Sequence, residues 1–505
     1  MIYDKLYDWQ KKIVNNYKNR DNFGLFLDCG LGKTPVSLAL AEANDCNKII
    51  VITINSKAIE KETLPGSWLN WSKELANPPV TYSKKIFKQP VEFHQDEPAI
   101  LVLNYESLYV RNSVEQTKRR RHPKCTLRPE IEAFIASCAK SNTAVIIDES
   151  HKMKDACTIQ SSAINSIISK LKIVSKSLHV YLLSGTPFTL GYIDLHNQLS
   201  TLGCPMNITT YKDTFCVRGH YPSLEAWAQP IIGYKNIDLL YKLVHKYAIT
   251  IKSTDVITLP EESLVKIITP TSKEFKKFMS EKLPEKEIVP GSTSVKKVPN
   301  PYFRNMAYPD MKWLADTTTT MWMRSRQLSI GFQGNGDDYE WYNFDRLNKL
   351  KELLSEKPDN YIIFVNYLPE IFNIYDICNE LKYNVDVYCG DIKDTTFYEN
   401  YQSMSEADRL SNKKNIILAN FKSGGTGMNW QLYNKCIMFS LPQYSDFVQA
   451  KARVHRIGQK EPTVYYMMIQ DNWLDRSMLE ALEQGKEYDE KMFEKGLEVM
   501  LHESK

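Results

Sequence analysis

The sequence predicts an α/β fold in which two parallel-sheet lobes follow each other along the chain, with a helical linker or protrusion between them. Short apolar runs alternate with helical patterns, and this alternation is typical of βαβ units with parallel strands. It occurs twice, and the intervening residues 281–320 are rich in proline and threonine. We therefore predict a first lobe over residues 1–260, a linker over 261–340, and a second lobe with a C-terminal helix over 341–505.

Each predicted strand is a short apolar run bounded by polar residues or turn signals. The first series comprises residues 23–27, 48–54, 99–103, 144–147 and 180–183. The second series comprises residues 361–365, 385–388, 415–419, 435–439 and 464–468. A helix is predicted over residues 35–43, directly after the first strand. The C-terminal residues 474–505 have the pattern of a charged amphipathic helix.

The composition restricts the class of protein. The 505 residues are 43% hydrophobic and 25% charged, as in soluble globular proteins. No apolar run approaches the roughly 18 residues of a membrane span. The 10 cysteines never form a Cys-x-x-Cys pair, which favours reduced thiols and disfavours zinc. We therefore expect a cytoplasmic protein, and the net charge of +4 permits a local nucleic-acid-binding patch without requiring one.

A glycine-rich motif follows the first predicted strand: Gly30-Leu31-Gly32-Lys33-Thr34. Glycines allow backbone N–H groups to surround phosphates, and the following helix N-terminus adds partial positive charge. In such a loop Lys33 would reach the β- and γ-phosphates of ATP, and the Thr34 hydroxyl would bind Mg²⁺. Leu27 stands where the strict pattern has its leading glycine, so an incidental glycine-rich turn is the alternative interpretation.

Two acids end the fourth predicted strand, Asp148 and Glu149. Ligands of open α/β sheets bind at the carboxyl ends of the strands, so these carboxylates are well placed for chemistry. Asp148 is expected to hold Mg²⁺, and Glu149 to orient and deprotonate the attacking water. The alternative is an acidic helix cap at the end of a buried strand.

Two arginines near the C-terminus, Arg453 and Arg456, are three positions apart and share one helical face. In phosphoryl transfer, an arginine stabilises charge on the γ-phosphoryl oxygens. The alternative is a solvated basic helix face. Because neither end of the chain makes a complete ATPase site alone, we predict that both lobes close on one nucleotide.

The motifs resemble, in order, those of the helicase superfamily-two ATPases of the Swi/Snf type. The similar segments are 6–10, 28–34, 49–56, 68–75, 104–107, 148–151, 183–187, 324–328, 362–367, 388–390, 423–429 and 453–459. The most diagnostic is the last, which ends in His455-Arg456-Ile457-Gly458-Gln459. The chain also departs from the family pattern: Ser150 replaces a small Ala or Gly, and Ser440-Leu441-Pro442 replaces Asp-Pro-Pro.

This resemblance implies two RecA-like lobes with ATP and Mg²⁺ bound between them. The implied nucleotide-binding residues are Gln10, Gly30, Leu31, Gly32, Lys33, Thr34, Gly427, Arg453 and Arg456. Thr34 and Asp148 are the implied metal ligands. The residues implied to couple nucleotide state to movement are His151, Ser184, Thr186 and Gln449.

The resemblance also implies a DNA partner, with duplex DNA favoured over single strands, contacted through its phosphates. The implied contact residues are Ser56, Lys57, Tyr105 and Ser107 in the first lobe and Asn366, Lys422, Ser423, Gly425 and Thr426 in the second. The basic run 118–124, within an insertion near residues 112–130, is either a further DNA contact or a solvated loop.

We therefore expect an ATP-dependent, DNA-stimulated motor that translocates along double-stranded DNA as a monomer. One alternative is a strand-separating helicase acting in phage replication or recombination. Another is a non-catalytic nucleic-acid-binding protein, which the presence of Lys33, Glu149 and both arginines disfavours. Because the chain ends soon after the second predicted lobe, we expect a minimal bacterial or phage member in the cytoplasm of the bacterial or phage-infected cell.

Overall fold

The computed structural model describes residues 1–54, 67–89, 91–110, 126–188, 191–219, 229–280, 318–336, 338–390, 392–424 and 428–503. The chain divides into two compact units, Met1–Thr258 and Leu259–Lys505. Among the helices that the structure describes, none combines the length and hydropathy that a membrane crossing requires.

The first unit is built on a parallel sheet with the strand order β3-β4-β2-β5-β6-β1-β9. Its strands, with the hairpin β7–β8 outside the sheet, are β1 Asn22–Leu27, β2 Lys48–Thr53, β3 Val80–Tyr82, β4 Ala99–Asn104, β5 Asn142–Asp148, β6 Ser177–Leu183, β7 Cys216–Arg218, β8 Ile231–Tyr234 and β9 Ala248–Ile251. Its α-helices are α1 Asp8–Tyr17, α2 Lys33–Ala43, α3 Trp68–Ser72, α4 Pro129–Ser137, α5 Ile159–Val174, α6 Leu195–Thr201, α7 Ile208–Phe215, α8 Ile237–Tyr247 and α9 Ser253–Val256.

Both faces of this sheet are buried. Successive residues of β2 alternate between two hydrophobic clusters: Ile50 and Ile52 belong to one, and Ile49 and Val51 to the other. Side chains of a strand point alternately to opposite faces, so a strand covered on both sides is a continuous apolar run. This double burial explains why the central strands were recognisable as uninterrupted apolar segments.

The second unit contains a similar sheet with the order β10-β18-β17-β13-β16-β14-β15, parallel except for the β14–β15 pair. The strands of this unit, including the hairpin β11–β12, are β10 Glu262–Thr269, β11 Phe332–Asn335, β12 Asp338–Trp341, β13 Tyr361–Val365, β14 Asn384–Cys389, β15 Ile392–Lys393, β16 Asn415–Asn420, β17 Lys435–Met438 and β18 Thr463–Gln470. Its α-helices are α10 Lys273–Ser280, α11 Thr318–Ile330, α12 Asp345–Glu356, α13 Leu368–Glu380, α14 Thr396–Ser403, α15 Glu406–Ser411, α16 Phe421–Gly424, α17 Tyr444–Val454, α18 Trp473–Glu483 and α19 Glu490–Glu503.

The predicted α/β class with two parallel-sheet, RecA-like lobes is confirmed. Each of the ten predicted strands is present, with its ends within three residues of the predicted ones. Two of the predicted segments have a different structure, and several short strands were not predicted. Residues 262–269, which we assigned to the linker, form the edge strand β10. The predicted C-terminal helix is two helices separated by a turn in which Gly485 has φ +70°. The three-part domain division stays a prediction.

Candidate active site

The motifs of the first unit meet at one edge of its sheet. Strands β5, β6 and β1 are consecutive neighbours in a parallel sheet, so the segments after them emerge side by side. These segments are the end of β5 with Asp148, the turn after β6 with Ser184, and the glycine-rich loop after β1. The sheet topology therefore explains how three motifs distant in sequence form one site.

The glycine-rich loop has a backbone conformation that requires glycine. Gly30 and Gly32 have φ values of +85° and +72°, in the left-handed region. A Cβ on Gly32 would lie 2.5 Å from Gln10 Nε2. The Gln10 side chain is buried and donates from Nε2 to Leu31 O at 3.0 Å. The structure therefore places Gln10 directly against the loop, and its nucleotide-binding role stays a prediction.

Helix α2 begins at Lys33, whose side chain turns back over the loop. Lys33 Nζ donates to the carbonyl oxygens of Leu27 at 2.9 Å and Asp28 at 3.3 Å. A Cβ on Gly185 would lie 3.5 Å from Lys33 Nζ and 2.7 Å from Cys29 Sγ. The Ser-Gly-Thr-Pro turn therefore packs closely on the glycine-rich loop, and a side chain at Gly185 would fill the space between them.

Asp148 is the last residue of β5 and is half-buried. Thr53 Oγ1 donates to Asp148 Oδ2 at 2.9 Å. Burial raises the pKa of Asp148 to about 6 and the neighbouring charge of Glu149 adds to the rise, whereas Lys33, Thr53 and Trp68 oppose it. Cations nearby would favour the charged form of this carboxylate, as expected of a metal ligand.

Glu149 has a left-handed backbone, with φ +53° and ψ 51°. Its Oε2 is 3.2 Å from His151 Nδ1, and the same nitrogen is 3.3 Å from Ser184 Oγ. Ser184 Oγ in turn accepts a hydrogen bond from Thr186 N at 3.1 Å. The structure thus joins three of the four predicted coupling residues, His151, Ser184 and Thr186, in one chain of contacts that begins at Glu149.

Tyr105 has a different place from the one predicted. Its side chain is 3% exposed, and its hydroxyl donates to Asp148 O at 2.8 Å and Glu149 O at 3.3 Å. Burial raises the pKa of this hydroxyl well above its ordinary value, so it stays a donor. The side chain is therefore not available to a DNA strand, and we correct its role from DNA contact to support of the two acids.

Ser150 forms a second link that we did not predict. Its Oγ donates to Gln198 Oε1 at 2.7 Å, and Gln198 Nε2 donates to Pro187 O and to Asp194 O, the latter at 3.1 Å. Ser150 and Gln198 are fully buried. The acid motif is therefore connected to the end of the Ser-Gly-Thr-Pro turn. The only sequence signal was a serine where the family has Ala or Gly.

In the second unit, Arg453 lies in the last turn of α17, which ends at Val454, and Arg456 follows the helix, so the prediction that the two arginines share one helical face is wrong. Gln449 and Arg453 are four residues apart on this helix, and Arg456 lies in the turn that follows. Arg453 Nη1 donates to Met428 O at 3.3 Å, and Arg456 Nη1 donates to Asn429 Oδ1. Both guanidinium groups therefore contact the last two residues of segment 423–429.

Gln459, the last residue of the diagnostic motif, is buried and closes a turn. Its Oε1 accepts hydrogen bonds from the backbone N–H groups of Lys460 and Glu461, both at 2.9 Å. Its Nε2 donates to Tyr433 O at 3.3 Å. The glutamine therefore holds the backbone that follows the arginines.

Besides Tyr105, the predicted DNA-contact residues that the structure describes are Ser107, Asn366, Lys422 and Ser423. Asn366 Nδ2 donates to Ser440 Oγ at 2.9 Å and Leu441 O at 3.0 Å, so the amide joins the ends of β13 and β17. Ser107 Oγ donates to Asn104 O at 2.8 Å. Lys422 is exposed on the short helix α16, which also contains Ser423. The predictions for Ser56, Lys57, Gly425, Thr426, Gly427, the run 118–124 and residues 281–317 lie outside the described residues.

Comparison with known proteins places the chain in a family. The family described as Type III restriction enzyme, res subunit, matches residues 4–189, and the Helicase conserved C-terminal domain matches residues 345–458. The ISWI chromatin-remodeling complex ATPase CHR17 of Arabidopsis thaliana is 22% identical over 511 residues, covering 95% of this chain and 41% of that protein. The chain belongs to the helicase superfamily-two ATPases of the Swi/Snf type.

Other similar proteins carry related descriptions. The ISWI chromatin-remodeling complex ATPase ISW2 of Saccharomyces cerevisiae is 27% identical over 154 residues, 30% of this chain and 13% of that protein. The Swi/Snf-type chain thus spans less than half the length of these curated relatives. The solved Sulfolobus solfataricus SWI2/SNF2 ATPase core in complex with dsDNA is 17% identical, with a TM-score of 0.36 and coverage of 95% of this chain and 91% of that one.

Proposed function

We propose that this protein is a DNA-stimulated ATPase that uses hydrolysis to translocate along double-stranded DNA. The observation that carries the proposal is the carboxyl edge of the first sheet. There the Ser-Gly-Thr-Pro turn packs on the glycine-rich loop, His151 connects Ser184 of that turn to Glu149, and the charge of Lys33 lowers the pKa of Asp148. Such a site has the parts that phosphoryl transfer needs: a cradle for phosphates, a metal ligand and a base.

The residues fit ATP and Mg²⁺. Gly30 and Gly32, with their left-handed backbone, and Gly185, which has no side chain, leave space for phosphates next to Lys33. Helix α2 begins at Lys33, so its N-terminus adds partial positive charge there. Among the described residues no group of three His, Cys, Asp or Glu side chains is positioned to hold a metal by itself. This agrees with Mg²⁺, which commonly takes one carboxylate, a hydroxyl and substrate phosphates, here Asp148, Thr34 and ATP.

In the proposed mechanism, Glu149 orients the attacking water and accepts its proton, and His151 holds the carboxylate through its Nδ1 contact. Mg²⁺, when bound, supplies positive charge to the phosphate oxygens. Lys33 contributes further charge from the first unit. We assign Arg453 and Arg456 to the γ-phosphate of the same nucleotide, on the basis of the family and the order of its motifs.

DNA is the proposed polymer partner, and duplex DNA is favoured over single strands. Support comes from the family and from similar proteins that are described as chromatin-remodeling complex ATPases. We propose Ser107, Asn366, Lys422 and Ser423 among its contacts, together with the predicted residues outside the described part. Phosphate contacts by such residues are independent of base sequence and sensitive to salt. The monomeric state and the cytoplasmic bacterial or phage setting stay predictions.

The proposal is tested by the steady-state ATPase rate without polymer and with single-stranded DNA, duplex DNA or RNA. We expect duplex DNA to stimulate turnover most, and Glu149→Gln to abolish turnover under every condition. Arg456→Ala is expected to lower the ATPase rate roughly a thousandfold, because the charge on the γ-phosphoryl oxygens would lose a stabilising arginine. Turnover that is independent of any polymer would contradict the motor and favour a nucleotide switch.

Strand separation is the second candidate function, because three of the relatives are described as ATP-dependent helicases. A forked duplex distinguishes the two activities. A helicase releases a free strand from the fork with ATP, whereas a translocase of the proposed kind leaves the fork paired. Stimulation by single strands alone, together with fork unwinding, would favour the helicase.

A further inference from the structure

Five residues of the second unit form a compact polar group that we call the Glu262 cluster: Pro260, Glu262, Lys451, His455 and Tyr465. Glu262 Oε2 is 2.7 Å from Lys451 Nζ, and Glu262 Oε1 is 3.3 Å from His455 Nδ1. Tyr465 Oη donates to Glu262 Oε1 at 3.0 Å. The other ring nitrogen of His455, Nε2, is 2.7 Å from Pro260 O. One carboxylate and one carbonyl therefore bind three side chains.

The cluster connects the start of the unit to the arginine motif. The second unit begins at Leu259, and we call residues 259–262, which include Pro260 and Glu262, its entry segment. Glu262 is also the first residue of β10. On the other side, Lys451 precedes Arg453 by two residues, and His455 directly precedes Arg456. The entry segment therefore contacts Lys451 and His455, which lie on either side of Arg453 in the sequence, and His455 is also next to Arg456.

The geometry of the cluster suits a positioning role. The side chains of Lys451, Glu262 and His455 are 30%, 29% and 16% exposed, so solvent weakens their contacts only in part. Residues 453–456, which we call the arginine turn, also contact segment 423–429, since Arg453 donates to Met428 O and Arg456 donates to Asn429 Oδ1. The turn therefore has contacts both with that segment and, through the cluster, with the entry segment.

None of the cluster residues is among those we assign to ATP, Mg²⁺ or DNA. His455 stands within the diagnostic motif, yet both of its ring nitrogens face the entry segment. A histidine that served only to fill space would not need two polar partners there. This arrangement indicates that the histidine connects backbone segments.

We propose that Glu262 and His455 are positioning residues that fix Arg453 and Arg456 relative to the segment entering the second unit. This inference rests on the proposed function for its effect on turnover. The cluster transmits a displacement of the entry segment directly to the arginine turn, so that the orientation of the guanidinium groups depends on that segment. Misplacing a catalytic group by about 1 Å can cost on the order of a hundredfold in rate.

The test compares wild type with Glu262→Ala, His455→Ala, the double variant and Glu262→Gln, which keeps one acceptor oxygen. A matched control is Lys266→Ala, because Lys266 lies on the same strand and pairs with Glu483 of α18 at 2.8 Å. Two measurements are made on the full chain: hydrogen exchange of the amides of residues 444–459, and DNA-stimulated ATPase separated into kcat and KM for ATP.

We expect each alanine variant to lower kcat about tenfold with little change in KM, because arginine orientation matters most in the transition state. The double variant should be no worse than either single one, because both break one cluster. Glu262→Gln should recover part of kcat, and Lys266→Ala should stay within about twofold of wild type. Hydrogen exchange at residues 455–459 should accelerate in the alanine variants alone.

The outcomes separate the two proposals. A wild-type protein without DNA-stimulated turnover would contradict the proposed function, and hydrogen exchange would still report on the cluster. Normal exchange and normal kcat in both alanine variants would contradict the positioning role. Equal losses in Lys266→Ala and Glu262→Ala would also contradict it, since the effect would then belong to general stability of β10.

Discussion

At the scale of single residues, the acids at the end of β5 depend on neighbours that are distant in sequence. Thr53 is the last residue of β2, and Tyr105 directly follows β4, yet both donate hydrogen bonds to the Asp148–Glu149 pair. Glu149 also keeps a left-handed backbone, which is unusual for a residue other than glycine. Such a conformation persists only where surrounding contacts determine it.

Tyr105→Phe tests this support. Loss of the hydroxyl removes the donor to Asp148 O and Glu149 O, so the left-handed turn should relax. We expect kcat to fall roughly tenfold, with stability reduced by about 1–2 kcal/mol. Steady-state kinetics and thermal unfolding measure the two effects. The control is Tyr211→Phe, since Tyr211 is also buried and donates to Tyr192 O at 2.7 Å. Equal losses of kcat in the two variants would contradict a specific role of Tyr105.

Residues in local motifs could be predicted from the sequence, whereas contacts between distant residues could not. Lys33, Asp148 and Glu149 were selected from the sequence as candidate site residues, because each belongs to a local motif whose order is diagnostic. Ser150–Gln198 and the Glu262 cluster were not, because their members are far apart in sequence and come together only through the sheet order. Tyr105 was recognised as part of a motif but given the wrong role, since burial of a side chain after a strand depends on what packs over it.

At the scale of elements, a buried ion pair joins five segments of the second unit. Arg346 of α12 is 1% exposed at its side chain and pairs with Asp475 of α18 at 2.7 Å. Arg346 also donates to Phe439 O and Ser329 O, each at 2.9 Å, and Asp475 accepts from Gln470 N at 2.8 Å. The pair therefore fixes α11, α12 and α18 to the ends of β17 and β18.

Asp475→Ala should destabilise the second unit by about 3–5 kcal/mol, because it leaves the buried guanidinium of Arg346 without its counter-charge. Denaturant unfolding of the full chain, followed by hydrogen exchange within residues 259–503, measures the loss. Lys349→Ala is the control: it removes an exposed pair with Glu352 on α12 and should change stability by less than about 1 kcal/mol. A loss below that limit in Asp475→Ala would show that the pair does not hold these elements together.

A second buried acid gives the unit a pH-dependent stability. Glu370 at the start of α13 is fully buried, and burial raises its pKa to about 7, although Ser440, the Asn366 N–H, Arg346 and Arg326 all lower it. The folded protein therefore binds a proton that the unfolded chain releases between the ordinary value of 4.5 and about 7. Stability should fall as pH rises through this window.

Glu370→Gln removes the titrating group and tests this expectation. Relative to wild type, the variant should gain roughly 2–3 kcal/mol of stability between about pH 5 and pH 8, because it never carries the buried charge. Chemical denaturation of both proteins at the two pH values provides the measurement, and the difference between the proteins cancels the titration of other groups. A stability difference that does not change with pH would contradict the assignment.

Element prediction succeeded where both sheet faces are covered and failed at the edges. The strands β5 and β13 are continuous apolar runs and were recognised directly. The edge strand β10 is mostly exposed, so its residues have no simple periodic pattern, and we assigned them to a linker. The short edge strand β9 was missed because four residues are too few for a pattern. Sheet membership of such strands is decided by pairing with distant segments.

At the scale of the whole molecule, the two units repeat one architecture with different chemistry. The first carries the phosphate loop, the acids and the Ser-Gly-Thr-Pro turn, whereas the second carries the arginines. Both belong to one chain of the Swi/Snf type. In the proposed function, hydrolysis would depend on residues of both units, and changes in their arrangement during the nucleotide cycle would produce the movement.

The most direct test of the central claim is displacement of the third strand from a DNA triplex placed on a long duplex. Our account predicts ATP-dependent release of the third strand by the wild-type protein, with the duplex left intact. Glu149→Gln should bind DNA but release nothing. The result that would contradict the account is DNA-stimulated ATP hydrolysis with no more strand release than Glu149→Gln, because hydrolysis would then occur without movement along the duplex.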